Sequence, residues 1–208
     1  MKTEFLNSGD PDALTYAFEI LLAGELVAFP TDTVYGLGAL VFDHKAVERI
    51  FASKGRSAEK SIPVLLASAE QLARVTVQVP ELAAKLADRF WPGPLTLIVP
   101  KHPAVPEAVS PTETVGVRVP NHPTTRALLR LSGPLAVTSA NLSGHEGPST
   151  AVEVRAQLDG RIALILDGGR TPGGVPSTVV DCMGRELKIL RQGPVTQEQI
   201  RRILALPS

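Results

Sequence analysis

Short apolar runs of strand length alternate with segments of helical period along almost the whole chain. That alternation leaves few options besides an α/β sheet covered by helices. Residues 26–29, 37–42, 62–67, 95–99, 114–119, 135–138 and 163–166 read as strands. Asp10 and Pro11 read as N-cap and first residue of a helix whose Leu14, Ala17, Phe18, Leu21 and Leu22 share one face and which Gly24 ends. A second helix carries Val47, Ile50 and Phe51, a third opens at Pro80 and carries Leu82, Leu86 and Phe90, and a fourth covers 123–132. Ser68 with Gln71, Thr150 with Glu153 and Thr196 with Gln199 read as capping boxes of further helices. Residues 178–181 and 187–190 read as a closing hairpin, which makes the sheet mixed. At 208 residues, with no repeat and no linker, the expectation is one domain over 1–208, a mixed sheet with flanking helices.

The ends of these strands carry the polar chemistry. The run 26–29 stops at Pro30, which has no N–H for a ladder, and leads into Thr31, Asp32 and Thr33 ahead of Tyr35 and two glycines. Open α/β sheets bind ligands at such strand ends, although an Asp/Thr-rich turn can equally bond its own backbone. Lys54, Arg56 and Lys60 supply three cations able to neutralise a polyphosphate, or alternatively to cover the negative end of the preceding helix. Ser139, Asn141 and Ser143 offer donors beside backbone N–H groups, or make an ordinary turn. Ser177, Thr178 and Arg191 add more of the same, whereas Thr150 fits a helix cap better than a ligand. Arg118 stands within a valine strand, where an unpaired buried charge is costly and calls for a partner, protein or ligand.

Composition narrows what such a chain could bind. Lys and Arg balance Asp and Glu at 21 each, so no overall field attracts nucleic acid or anionic membrane and any anion site is local. The single cysteine, Cys182, excludes a disulfide framework and a thiolate zinc site, fits a reducing compartment and reads as a buried thiol. The N-terminus lacks a signal-peptide stretch and no run approaches the roughly 18 apolar residues of a membrane span, which points to the cytoplasm. The histidines at 44, 102, 122 and 145 show no metal-ligand spacing and read as surface or loop residues. There is no P-loop, no dinucleotide fingerprint, no nucleophile elbow and no zinc-protease motif. From the residues alone, the reading stops at an anion-binding α/β domain.

Taken together, the loops resemble the YrdC/TsaC family of threonylcarbamoyl-AMP synthases. The motifs that carry the resemblance run in order: Phe29-Pro-Thr-Asp-Thr-Val-Tyr-Gly-Leu-Gly38, Lys54-Gly-Arg56, Trp91-Pro-Gly-Pro-Leu-Thr96, Val117-Arg-Val-Pro120, Thr138-Ser-Ala-Asn-Leu-Ser-Gly144, Pro176-Ser-Thr-Val-Val-Asp181 and Leu190-Arg191. The resemblance implies a twisted sheet with a concave basic cavity and the conversion of L-threonine, bicarbonate and ATP, with Mg2+, to threonylcarbamoyl-AMP and pyrophosphate. It further implies hand-over of that product to a tRNA threonylcarbamoyl transferase complex, with at most weak contact to tRNA and none to a membrane.

Carried over by motif, Thr33, Arg118, Thr138 and Ser177 would contact threonine, and Arg56, Lys60, Thr114, Ser139, Asn141, Ser149 and Arg191 would line the ATP side. Lys54 and Arg56 would supply charge stabilisation, with no protein nucleophile and no metal-binding side chain. The chain departs from the family pattern at Ser57, at Lys60, where asparagine is frequent, and at Leu65 and Leu66, where a histidine commonly ends the strand. The chain ends after its terminal helix, as in the form without the extra C-terminal domain.

Two rival readings remain. A basic concave surface could hold RNA without catalysis, but aromatic residues make up only 4% of the chain, too few for a stacking platform. A carbamoyl-transfer domain like that of hydrogenase maturation proteins would carry zinc-finger and acylphosphatase segments, for which one cysteine and this length leave no place.

Overall fold

The computed structural model describes residues 2–55, 57, 60–172, 174–184 and 186–205. The first half of the chain contains β1 (Glu4–Asn7), α1 (Ala13–Leu22), β2 (Val27–Phe29), β3 (Gly36–Leu40), α2 (His44–Lys54), β4 (Val64–Leu65), a 3-10 segment (Ala69–Arg74), α3 (Glu81–Phe90) and β5 (Leu95–Pro100). The second half contains β6 (Thr114–Arg118), α4 (Pro123–Ser132), β7 (Leu135–Ser139), α5 (Ala151–Leu158), β8 (Leu164–Asp167), β9 (Thr178–Asp181), β10 (Lys188–Arg191) and α6 (Gln197–Leu204).

The described strands form one ten-stranded sheet in the order β1-β8-β2-β3-β7-β4-β6-β5-β9-β10. β1/β8, β8/β2, β4/β6 and β5/β9 pair in parallel, and the remaining neighbours are antiparallel. The sheet is therefore the mixed, twisted one expected, but the mixing runs through its centre and is not confined to the closing hairpin β9/β10. β1 gave no strand signal in the sequence: it has four residues, only Phe5 and Leu6 apolar, and it lies at an edge with most of its side chains exposed.

Several local expectations are corrected. α1 begins at Ala13 behind Asp12, whose side chain makes no cap bond, and the Asp10 carbonyl accepts from the Ala13 N–H. The buried residues of α1 are Ala13, Ala17 and Leu21, a stripe spaced by four, and Leu22 is exposed. β4 keeps two residues of the apolar run because Pro63 has no N–H to continue the ladder, although Ile62 and Leu66 are buried. Ser68 makes no side-chain cap bond, and Gln71 instead accepts from the Ala67 N–H ahead of a 3-10 segment. The box at Thr196 and Gln199 forms reciprocally. Thr150 caps α5 by accepting from the Glu153 N–H, while Glu153 reaches past it to the Ser149 N–H.

Two apolar layers sandwich the sheet. α2, α3, α5 and α6 pack on one face, through residues such as Ile50, Leu86, Val154 and Ile200 against Leu37, Leu97, Val117 and Ile165. α1 and α4 pack on the other, where Leu21 and Leu128 meet Phe29, Val137 and Leu166. Alternation along β5 and β6 turns Leu95, Leu97 and Val117 toward the first layer, so Thr96 and Arg118 project from the opposite face. Among the described residues, that face carries α1 and α4 alone, and beside them it is open.

Candidate active site

A cavity of about 230 Å³ occupies the open part of this face. Its described lining comes from the loop after β2 (Thr31, Thr33, Val34, Tyr35), from Gly36 of β3, Leu65 of β4, Thr96 of β5, Arg118 of β6 and Val137, Thr138 and Ser139 of β7, and from Ser177 and Arg191 flanking β9 and β10. Ser61, Pro63 and Pro176 complete it. Seven Ser/Thr hydroxyls and that of Tyr35, two guanidiniums and, in the described lining, no carboxylate thus face one space. The volume lies below the roughly 300–1,000 Å³ of sites that enclose drug-sized ligands, and it suits a ligand of amino-acid size whose larger partner extends outward.

Arg118 is 6% exposed, and its partner is Asp32. Nη2 donates to Asp32 Oδ1, Nε donates to the Gly93 carbonyl at 3.0 Å and Nη1 donates to Thr33 Oγ1 at 3.3 Å. Burial pulls the guanidinium's pKa down, the Asp32 carboxylate pulls it back up, and the nearby positive charge of Arg191 adds to the lowering. Thr33 is in turn held by Thr31, whose Oγ1 lies 3.0 Å from Thr33 Oγ1, accepts from the Thr33 N–H and donates to the Val34 carbonyl. Thr31 thus makes the loop after Pro30 a turn that bonds its own backbone, Asp32 is turned onto Arg118 instead, and the loop also presents a hydroxyl to the cavity.

On the opposite wall, Ser177 Oγ lies 2.8 Å from Thr96 Oγ1, and Arg191 donates to the Ser177 carbonyl from Nε and Nη2 at 3.0 and 2.8 Å. Arg191 Nη2 also reaches Ser177 Oγ at 3.2 Å. Burial lowers the pKa of this guanidinium as well. The segment after β10 closes over this wall at Gly193, where an added Cβ would stand 2.4 Å from both the Pro176 carbonyl oxygen and the Thr178 nitrogen. Only glycine fits there.

Lys54 is 3% exposed, and its Nζ donates to the backbone carbonyls of Ser139 and Asn141. The cation at the end of α2 therefore organises the β7 loop from behind. Asn141, also buried, donates Nδ2 to the carbonyls of Leu142 and His145, and its Oδ1 has no partner among the described residues.

Of the residues expected to bind threonine, Thr33, Arg118, Thr138 and Ser177 all face the cavity. Ser139 and Arg191, expected on the ATP side, face it too, whereas Lys60, Thr114, Asn141 and Ser149 lie outside its described lining. Lys60 and Thr114 are exposed and half-buried respectively, and the Ser149 carbonyl accepts from Thr171. Arg56 lies outside the described residues. Thr31, singled out with Thr33 as a source of hydroxyls, faces the cavity too, whereas Ser61 and Thr96 were missed. Thr96 carried a usable signal, because a polar residue between Leu95 and Leu97 is as anomalous as Arg118 between valines. His122, read as a surface or loop residue, does lie in the loop before α4, but it is half-buried, with Nδ1 fully enclosed. Leu65 takes a cavity position on the strand where the family pattern often has histidine.

No helix among the described residues is long and apolar enough to cross a membrane. Nor do they contain a group of three His, Cys, Asp or Glu side chains placed to hold a metal ion.

The sequence model of one protein family, Sua5/YciO/YrdC, described as "Telomere recombination", matches residues 19–193. The chain is 46% identical over 208 residues to the threonylcarbamoyl-AMP synthase of Bacillus subtilis (strain 168), covering 97% of this chain and 59% of that one. It is likewise 46% identical over 183 residues to the threonylcarbamoyl-AMP synthase of Pyrococcus abyssi (strain GE5 / Orsay), covering 87% of this chain and 54% of that one. The chain thus spans a little over half the length of these two relatives. The crystal structure of P. abyssi Sua5 complexed with L-threonine superposes with a TM-score of 0.93 at 41% identity, over 99% of this chain and 61% of that one.

Proposed function

The chain belongs to the Sua5/YciO/YrdC family, and from that premise we propose that it joins L-threonine, bicarbonate and ATP into threonylcarbamoyl-AMP, releasing pyrophosphate. The observation that carries this reading is the convergence of Arg118 and Arg191 on one hydroxyl-lined cavity of amino-acid size. Two like charges facing a small space repel each other and are stabilised by anions set between them. A threonine carboxylate on Arg118 and a phosphate toward Arg191 meet that requirement. The names of the relatives, and the threonine held by P. abyssi Sua5, support the assignment.

Each described group then has a task. Arg118 uses three of its five N–H donors on Gly93, Thr33 and Asp32, and two remain for a carboxylate, the number a bidentate pair needs. Thr33 and Ser177 offer hydroxyls to the substrate's own hydroxyl, and a site built on such bonds discriminates strongly against analogues that lack it. Bicarbonate supplies carbon dioxide by losing hydroxide, the unprotonated amine attacks its carbon and releases a proton, and hydroxide and proton leave as water; no carboxylate in the described lining would hold the amine as ammonium. The carbamate oxygen then attacks the α-phosphorus and pyrophosphate departs, so the protein's contribution is positioning and charge stabilisation. Lys60 and Arg56, which follow α2 in sequence, would supply positive charge to the triphosphate. Mg2+ would enter on the ATP phosphates and offset the charge that develops on the leaving pyrophosphate. The product is the reactive adenylate a tRNA-modifying transferase needs, and a cytoplasmic setting follows from that role.

The test is incubation with ATP, Mg2+ and bicarbonate, with and without L-threonine, scored by pyrophosphate release. Threonine-dependent release is the expected result. Release that is indifferent to threonine, or tRNA binding with steep salt dependence and no turnover, would replace this reading with a different ATPase or an RNA-binding module.

A further inference from the structure

Arg118 is held by a carboxylate that is itself held on one side only. Asp32 Oδ1 accepts from Arg118 Nη2, while Asp32 Oδ2 is buried and meets no partner among the described residues. A second buried orphan belongs to His122, whose Nδ1 likewise has none. Buried polar atoms are almost always paired, so two such atoms in one region call for an explanation. His122 is the N-cap residue of α4, yet its side chain makes no cap bond. Burial lowers its pKa, and the Asp32 charge works against that lowering, so the imidazole sits within electrostatic reach of the carboxylate. The two segments are also tied together by a hydrogen bond from Thr125 Oγ1, in the first turn of α4, to the carbonyl of Pro30, two residues before Asp32. One orphan is an acceptor, and the other is a ring nitrogen able to carry a proton.

We propose that Asp32 and His122 are positioning residues for Arg118. In the amino-acid-bound protein His122 donates Nδ1–H to Asp32 Oδ2, and the carboxylate, now fixed on both oxygens, holds the guanidinium with its two uncommitted donors toward the substrate carboxylate. One bond thereby pairs both orphans, and it links the start of α4 to the cavity wall. Neither residue touches the substrate. The inference rests on the reading of the cavity as an amino-acid site.

The test compares wild type, His122→Leu, His122→Asn and Asp32→Asn by L-threonine calorimetry and by steady-state KM for L-threonine and ATP. His122→Leu is expected to raise the threonine Kd and KM roughly fivefold or more, the size of one lost supporting hydrogen bond, with the ATP KM moving less than about twofold. His122→Asn, whose amide N–H stands near the place of Nδ1–H, should recover most of the loss. Asp32→Asn should raise the threonine values further. Threonine and ATP constants that shift together, or a His122→Asn variant as impaired as His122→Leu, would overturn the proposal in favour of simple packing. Wild type that binds L-threonine without releasing pyrophosphate contradicts the synthase reading but leaves the calorimetric comparison decisive. Wild type that binds no L-threonine removes both.

Discussion

Two cations that look alike in the sequence have opposite surroundings. Arg118 faces the cavity with donors to spare, whereas Lys54 is turned inward onto the Ser139 and Asn141 carbonyls. An ammonium so deeply buried needs acceptors around it to offset the water it has lost. Lys54→Met should therefore destabilise the fold by about 2–4 kcal/mol, since two charge-assisted bonds are lost and the buried Asn141 carbonyl loses its donor, whereas the Ser139 carbonyl keeps the Asn141 N–H. Urea unfolding measures this. An unchanged midpoint with activity abolished would show that Lys54 acts on the ligand instead. The arginine's role was accessible from sequence because charge in a valine strand is anomalous. Its partner was not: Asp32 lies 86 positions away, and nothing local to either residue specifies the pairing.

At the scale of elements, the helices were legible where a cap and a periodic face coincide. Thr196 with Gln199 fixes the start of α6, and Pro123 fixes that of α4. Asp10-Pro11 misled because the chain turns once more before Ala13 enters the helix. Strands were found as apolar runs, but Pro63 shortened β4 and the four-residue edge strand β1 gave no run at all. The walls of the cavity are built by loops that meet only in three dimensions. The clearest case is the segment after β10, which lies on the backbone of Ser177 and leaves no room for a side chain at Gly193. Gly193→Ala should cost about 1–3 kcal/mol, as overpacking does, and should weaken threonine use by displacing Ser177. Wild-type stability together with a wild-type threonine KM would mean that this contact relaxes freely.

Among the described residues the chain forms a ten-stranded mixed sheet whose two faces are covered unequally, four helices against two, and the cavity occupies the uncovered remainder. Sequence periodicity distinguishes strand from helix but is silent on which strands become neighbours, so the order β3-β7-β4-β6-β5 that brings Gly36, Thr138, Leu65, Arg118 and Thr96 side by side had to be observed. Two buried groups set the alkaline limit of this fold. Burial pushes the Tyr35 hydroxyl from 10.0 up to about 12, where it donates to the Gly169 carbonyl, and pushes the Cys182 thiol from 9.0 up to about 12. Both are held protonated in the folded state and ionise sooner in the unfolded chain, so their contribution is complete below pH 9.0 and is lost as pH rises toward about 12. Urea midpoints should decline across that window, less steeply in Tyr35→Phe, and a flat profile would contradict the assignment.

In the proposed reaction, threonine takes up carbon from bicarbonate before it is adenylated. Carbon-13 bicarbonate, supplied with ATP, Mg2+ and L-threonine, tests it directly when the nucleotide products are weighed by mass spectrometry. The expected product is threonylcarbamoyl-AMP one mass unit heavier than with unlabelled bicarbonate, formed only when threonine is present. An unlabelled threonyl adenylate, or ATP consumed with no labelled adenylate, would contradict it.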